Sequence, residues 1–385
     1  MYNYYMPTRI IFENNSSGKL GEILEKENKK NVLVVTDKGV LNAGLLNAMF
    51  QSFDNSNISY GIFDEVEPNP KSSTIRKGVQ KLSESNFDAI VGFGGGSSID
   101  TAKAIAVMAT NEGEILDYEG VGNVINDSLF LVAVPTTAGT GSEVTASTII
   151  TDENTLFKAA IISPKVFPNL AILDATLTLG CPPGITSSTG IDALTHAIES
   201  YISKQSNPIS GSIALHAISL ISKNIHKAYY YGTDLESREK MLEASMLAGL
   251  AFSQTRLGNV HAISQALGGV FDIPHGIANA ALLPYVLKFN APACLKEMVD
   301  IANAMGIQTE NESDVIIAEK VVNTIVEWNH SFDIPNNTKD LGVDLSEIDK
   351  LIADSMRSGN ILVNPRLTTS KDVEKLIRDS YDGVL

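Results

Sequence analysis

Phe87–Lys103 reads F-D-A-I-V-G-F-G-G-G-S-S-I-D-T-A-K, and it decides the fold of the first half of the chain. An apolar run of strand length, Phe87–Gly92, gives way to glycines, and helical periodicity follows over Ser98–Met108. Working outward, Asn31–Thr36 (N-V-L-V-V-T), Ile58–Phe63, Leu129–Pro135 (L-F-L-V-A-V-P) and Leu170–Asp174 are further uninterrupted apolar runs. Helical patterns over Leu41–Phe53 and Thr74–Ser85 fall between them. Strands apolar on both faces and separated by helices belong to a parallel sheet covered on both sides.

The texture changes after Pro182-Pro183. From Gly184 onward the spacing predicts helices over Ser187–Lys204, Gly211–Lys227, Leu235–Ser253, Leu295–Met305, Asp314–Trp328, Leu345–Ser358 and Lys371–Asp379, and no strand. The expected fold class is therefore α/β plus all-α, an α/β domain over 1–182 and a helical domain over 183–385. No internal repeat or low-complexity segment interrupts them.

Composition bounds the function. With 385 residues, 44% hydrophobic and 19% charged, the chain is long enough for two cores. A formal charge of −16 disfavours a nucleic-acid or anionic-membrane partner. Two cysteines, Cys181 and Cys294, in a chain this long fit a reducing compartment. The N-terminus lacks an apolar leader and no window approaches a membrane span, so a cytoplasmic protein is expected.

Two loops in the first domain carry phosphate-binding chemistry. In G-F-G-G-G-S-S (Gly92–Ser98) glycines at a strand-to-helix turn let backbone N–H groups approach a diphosphate, and the helix N-terminus adds partial positive charge. The pattern departs from G-x-G-x-x-G, since Ser97 stands in the third glycine's place. In V-P-T-T-A-G-T-G-S-E-V-T (Val134–Thr145) hydroxyls of Thr136, Thr137, Thr140, Ser142 and Thr145 alternate with glycines. That density of small donors suits phosphate, ribose or a carboxamide; a plain polar loop is the alternative. Asp37, after the strand Asn31–Thr36, serves either an adenosine ribose, which would select NAD over NADP, or an Asx-turn before Gly39.

In the second half, Asp192 and His196 of T-G-I-D-A-L-T-H are four residues apart with helical spacing, so both face one way. His261 and His275 stand in a Gly-rich, nearly uncharged run where a solvated histidine has little reason to sit. One carboxylate and three imidazoles suit iron, zinc or nickel.

Taken in order, G-G-G-S-x-x-D-x-A-K (Gly94–Lys103), P-T-T-A-G-T-G-S-E-V-T (Pro135–Thr145), G-x-D-A-L-T-H-A-I-E (Gly190–Glu199) and P-H-G (Pro274–Gly276) resemble the iron-containing (group III) alcohol dehydrogenases. P-N-P (Pro68–Pro70) and N-P-R (Asn364–Arg366) fit as well, so the likeness runs along nearly the whole chain. The resemblance implies an N-terminal dinucleotide-binding domain, a C-terminal helical metal domain and an active site in the cleft between them. It places metal ligands on Asp192, His196, His261 and His275. It places NAD contacts on Asp37, Asn69, Gly95, Gly96, Ser97, Thr136, Thr137, Thr140, Ser142 and Lys158. Many members carry a second histidine four residues after the third ligand, thought to help move a proton; here that position is Gln265, which cannot titrate as imidazole does.

The implied activity is NAD(H)-dependent interconversion of a primary alcohol or small diol and its aldehyde, with Fe²⁺ (or Zn²⁺ or another divalent metal) as Lewis acid. His261 is the ligand expected to orient the substrate. Rival readings are a zinc polyol dehydrogenase of the glycerol dehydrogenase type and a reductase of an anionic aldehyde. Only Arg256 hints at the latter, and it reads equally as a helix-end arginine satisfying carbonyls. A lyase like the dehydroquinate synthases would need basic residues that the His261–His275 run lacks. A non-enzymatic assembly subunit is the remaining alternative. The likeness also implies a homodimer or higher homo-oligomer.

Overall fold

All five strands expected in the first half form, and they share one sheet. In the computed structural model, which describes residues 2–385, nine strands are present among the described residues. They are β1 (Arg9–Phe12), β2 (Asn31–Val35), β3 (Ser59–Phe63), β4 (Ala89–Gly94), β5 (Gly120–Val121), β6 (Leu131–Pro135), β7 (Ser147–Asp152), β8 (Phe157–Ile162) and β9 (Leu170–Leu173). Six make a parallel sheet in the order β1-β9-β6-β4-β2-β3. Its helices are α1 (Leu20–Lys26), α2 (Lys38–Asn42), α3 (Asn47–Asn55), α4 (Ser72–Leu82) and α5 (Gly96–Met108).

The apolar runs have no polar alternation because both faces of the sheet are covered. Val32, Val34, Ala89 and Val91 pack in one core with Leu24 and Phe53, from α1 and α3. Leu33, Val35 and Ile90 pack in another with Ile75 and Ile105, from α4 and α5. Successive strand residues point to opposite faces, so one run feeds two cores.

Chain direction across this sheet reverses between β2 and β4: β3 lies outside β2, while β4, β6 and β9 step the other way. A crevice opens at the carboxyl ends of strands at such a reversal, and ligands of open α/β sheets bind there.

A second sheet, β5-β8-β7, did not register in the sequence; its core is the antiparallel β7–β8 pair, running from Ser147 opposite Ile162 to Asp152 opposite Phe157. The expected helix Leu41–Phe53 is two pieces, α2 and α3, broken at a turn containing Gly44. The helix after the glycines starts at Gly96 rather than about Ser98.

By its contacts the chain divides after Cys181 into two compact units. The second is wholly helical among the described residues: α6 (Pro183–Ile202), α7 (Pro208–Tyr230), α8 (Leu235–Thr255), α9 (Asn259–Phe271), α10 (His275–Asn290), α11 (Leu295–Met305), α12 (Asp314–Ser331), α13 (Ile348–Arg357) and α14 (Ser370–Asp382). Pro183 takes the first turn of α6, where its missing N–H costs nothing. One boundary needs correction: residues 2–5 belong to the helical unit and not to the α/β domain. Tyr5 exchanges two hydrogen bonds with Gln254 of α8 (3.0 and 2.9 Å), and the Tyr4 hydroxyl donates to the Leu250 carbonyl. No helix among the described residues is long and apolar enough to cross a membrane.

Candidate metal centre and cofactor loops

Three helices of the second unit bring Asp192, His196, His261 and His275 together. Asp192 and His196 lie one turn apart in the buried middle of α6; His261 is in the first turn of α9, and His275 opens α10 directly after Pro274. One donor atom from each lies within 4.8 Å of all the others. Asp192 Oδ1 is 3.8, 3.7 and 3.8 Å from the Nε2 atoms of His196, His261 and His275. Three of the four are buried, while the His275 side chain keeps 30% exposure and marks the open edge. The His196 ring is fixed between Phe252 and His261, at centroid distances of 4.5 and 4.6 Å.

The electrostatics favour a cation at this point. Burial, and then the neighbouring His196, hold His261 well below the ordinary imidazole range, leaving a neutral ring with a free lone pair. Burial also opposes the charge of Asp192, yet the imidazoles and the Asn279 amide prevail and keep its carboxyl below its usual range. One carboxylate and three imidazoles form a donor set that fits a divalent metal ion.

Two residues around the cluster escaped the sequence reading. Asn279, one turn after His275 on α10, donates through Nδ2 to Asp192 Oδ1 at 2.6 Å and lies 3.0 and 3.1 Å from Nε2 of His261 and His275. Its Oδ1 is buried with no hydrogen-bond partner, a polar atom aimed at nothing in the protein. Glu199, further along α6, places Oε2 2.6 Å from His261 Nδ1. Burial pushes its carboxyl up to about 7, against the pull of the backbone N–H groups of Gly258, Val260 and His261. The i, i+4 spacing of His275 and Asn279 was a visible signal for the first; the motif's terminal glutamate was one for the second.

In the α/β unit Asp37 and the trio Gly95, Gly96 and Ser97 follow the strands flanking the reversal, β2 and β4, while Thr136, Thr137, Thr140 and Ser142 follow the next strand, β6. Asp37 follows β2, caps α2 by accepting the Val40 N–H at 2.9 Å, and receives the Ser98 hydroxyl on its other oxygen at 3.4 Å. The residue makes the Asx-type cap and also stands beside the glycine turn. Gly95 is the N-cap of α5, with Gly96 and Ser97 in its first turn. The second loop is joined to this turn, for Thr136 donates its N–H to the Gly94 carbonyl. A Cβ on Gly96 would come within 2.6 Å of Thr140, so glycine at that position lets the loops close on each other. Ser142 donates to Asp100 at 2.5 Å. On the hairpin, Lys158 of β8 donates to Asn69 Oδ1 at 2.6 Å, pairing the two outlying candidates.

The charged residues of the glycine motif proved structural. Lys103 is fully buried and donates to the carbonyls of Thr145 and Ser147 and to the Thr145 hydroxyl, at 2.8–3.0 Å. Asp100 accepts from Ser142 and the Ile149 N–H. Together they clamp the hydroxyl-rich loop onto α5.

Comparison with known proteins fits this arrangement. Residues 7–175 match the family model for iron-containing alcohol dehydrogenase, and residues 186–381 match that for the C-terminal part of the Fe-containing alcohol dehydrogenase family. The 1,3-propanediol dehydrogenase of Citrobacter freundii is 38% identical over 383 residues, 99% of each chain. The chain belongs to the iron-containing alcohol dehydrogenase family. Among solved structures, an alcohol dehydrogenase from Oenococcus oeni superposes with a TM-score of 0.96 at 35% identity, covering 99% of this chain and 100% of that one. A sulfoacetaldehyde reductase from Bifidobacterium kashiwanohense, solved in complex with NAD⁺, gives 0.88 at 31% identity, covering 99% and 98%.

As a member of this family the protein is an NAD(H)-linked, metal-dependent oxidoreductase that interconverts an alcohol and its aldehyde. The dehydrogenase has its two remaining sequence candidates in the helical unit. Gln265 lies one turn beyond His261 on α9, half-buried. Arg256 ends α8 with φ 57° and turns its guanidinium toward the carbonyl of Gly359, which lies outside that helix, at 3.5 Å. Cys181 and Cys294 form no disulfide.

Proposed function

We propose that Asp192, His196, His261 and His275 hold a divalent iron, and that the substrate is a primary alcohol or small diol. The observation that carries this is the convergence of the four donor atoms within 4.8 Å, with one carboxylate oxygen nearly equidistant from three ring nitrogens. When bound, the metal supplies Lewis acidity toward the substrate oxygen. Asp192 offsets its charge, the imidazoles remain neutral donors, and the exposed edge of His275 is where substrate enters. NAD is assigned to Asp37, Gly95, Gly96, Ser97, Thr136, Thr137, Thr140 and Ser142, with Lys158 and Asn69 as outlying contacts. The backbone N–H groups at the start of α5 take the diphosphate, and Asp37 takes the ribose. Held by these residues, NAD would supply the hydride acceptor for the alcohol or, reduced, the hydride donor for the aldehyde.

His261 orients the substrate and Gln265 holds it or the nicotinamide by hydrogen bonds, carrying no proton near neutrality. The proton leaves to water at the open edge of the site. The α/β and helical units are thus a cofactor domain and a metal domain. We place the enzyme in the cytoplasm as a homodimer or larger homo-oligomer, by analogy with the family. The test is NADH consumption by the Fe²⁺-loaded protein, kept anaerobic, across a panel of short aldehydes, hydroxyaldehydes and anionic aldehydes. Turnover confined to neutral short aldehydes is expected. Turnover confined to anionic aldehydes would overturn the substrate assignment, and none at all would overturn the function.

A further inference from the structure

Glu199 closes the motif G-I-D-A-L-T-H-A-I-E, yet the four metal donors and the cofactor loops leave it without a role. It lies three residues beyond His196 on α6, with its side chain 2% exposed. Its two oxygens have separate tasks. Oε1 accepts the Val260 N–H at 2.7 Å, at the N-terminus of α9, where the helix dipole favours a negative charge. Oε2 lies 2.6 Å from His261 Nδ1, while His261 Nε2 faces Asp192 Oδ1. A ring nitrogen facing the four-donor cluster must keep its lone pair to bind a metal, so the proton of the His261 ring belongs on Nδ1, where Glu199 Oε2 stands at hydrogen-bond distance to accept it.

We propose that Glu199 is a positioning residue for the metal centre, fixing the tautomer and the orientation in which His261 presents Nε2. This rests on the reading of Asp192, His196, His261 and His275 as the metal site. A carboxylate on the far nitrogen both locks a ligand imidazole and raises its basicity.

The surroundings are built to keep Glu199 in place. Gly258 leaves it room: a Cβ there would lie 2.8 Å from Glu199 Oε1 and 3.0 Å from Asn364 Oδ1. Asn364, the first residue of the N-P-R motif, is fully buried. Its Oδ1 accepts the Asn259 N–H at 3.3 Å and Asn290 Nδ2 at 3.0 Å, and its Nδ2 donates to Asn290 Oδ1 at 2.7 Å. The N-P-R motif therefore ties the start of the helix that carries His261 to the end of the helix that carries His275. Both unabsorbed motifs act on the same ligand.

Glu199→Gln isolates the effect, because it preserves volume while replacing one acceptor with a donor. Its amide oxygen can serve Val260 or His261, and the amide nitrogen then opposes the other. When the nitrogen faces His261, it donates to Nδ1 and drives the ring proton to Nε2, where a metal cannot bind.

The experiment measures Zn²⁺ affinity of the whole protein by competition with a chromophoric chelator, and reads the His261 tautomer from ring ¹⁵N shifts. The native protein is expected to bind Zn²⁺ with His261 protonated on Nδ1. Glu199→Gln should bind about 10- to 100-fold more weakly, with a melting temperature in the metal-free form close to native. Gly258→Ala, which displaces an intact Glu199, should weaken binding in the same direction. Affinity of Glu199→Gln within about twofold of native would overturn the proposal while leaving the four-ligand reading intact. So would a native, Zn²⁺-loaded His261 lacking a proton on Nδ1, a measurement that needs no variant to fold. Failure of the native protein to bind Zn²⁺ would remove the four-ligand reading and the proposal together.

Discussion

In the α/β unit the buried charges of Asp100, Lys103 and Glu143 are spread along α5 and the loop after β6, and Asp100 and Lys103 spend their hydrogen bonds on that loop. In the helical unit the buried Asp192, His196 and His261, with His275 at the edge, turn their donor atoms on one point, and Asp192 Oδ1 has only an amide within hydrogen-bond reach. The first arrangement shapes a backbone; the second leaves lone pairs to share. A dinucleotide is met by main-chain N–H groups and small hydroxyls, so the charged side chains nearby serve as scaffolding. A metal is met by side chains directly, so there the charged residues are the site. The same motif density in sequence thus has two physical meanings.

The comparison breaks most sharply at His196. His196→Ala removes one of four donors and should lower metal content and turnover by more than about 100-fold, since even loss of an outer partner of a ligand costs about 10- to 100-fold. NADH binding, followed by its fluorescence, should survive, because the α/β core has no part in the cluster. Metal content and turnover both at native level would return His196 to being a packed core residue.

A smaller effect is expected at Asp37. The native protein should prefer NADH to NADPH in kcat/KM, because a 2′-phosphate beside this carboxylate is repelled. Asp37→Gly should narrow the preference by at least about tenfold, equivalent to roughly 1.4 kcal/mol. It also removes the α2 cap, at a cost of a few tenths of a kcal/mol since glycine is itself tolerated there. Equal use of both cofactors by the native protein would show that Asp37 only caps.

How much of this was legible in sequence follows from the same contrast. The parallel strands were readable because two-sided burial makes them continuously apolar. The convergence of Asp192, His196, His261 and His275 was readable because two of them sit at helical spacing and two in a run with no solvent-facing reason for a histidine. The helices α9 and α10, which carry His261 and His275, were not readable. They are buried nearly all round and hold Gly268, Gly269 and an internal Pro284, so no polar face reveals the helical period. The β7–β8 hairpin was missed because its strands belong to a small side sheet and carry no long apolar run. Asn279 and Glu199 were marked by a spacing and a motif position, but what they touch became visible only when three helices met. Lys103 was quoted for its place in a phosphate-binding motif, and only burial showed that its ammonium faces carbonyls.

The finest test of the contrast is Glu143, which lies in the short 3₁₀ turn Ser142–Val144 between the Asp100 and Lys103 clamps. It is 1% exposed, and its Oε1 has no hydrogen-bond partner. Burial pushes its carboxyl from 4.5 up to about 7, against a backbone hydrogen bond and the charge of Lys103. An acid whose folded pKa is raised contributes its full stability below the unfolded value. It loses that contribution as pH rises from about 4.5 through about 7, where the folded protein must finally ionise a buried group. Glutamine at this position has nothing to ionise. Glu143→Gln should therefore match the native protein near pH 4.5 and exceed it at pH 8 by about 1–3 kcal/mol, on the order of the shift converted at 1.36 kcal/mol per unit. The single tryptophan, Trp328, lies in the helical unit and reports on the wrong core. Hydrogen exchange of the β4 and β6 amides is the proper readout, because their protection follows opening of the α/β unit itself. Parallel pH slopes in the two proteins, or a variant weaker than native at pH 8, would mean that Lys103 already neutralises Glu143. The cluster in the α/β unit would then be a working ion pair, and the division between scaffolding charges and site charges would have to be drawn elsewhere.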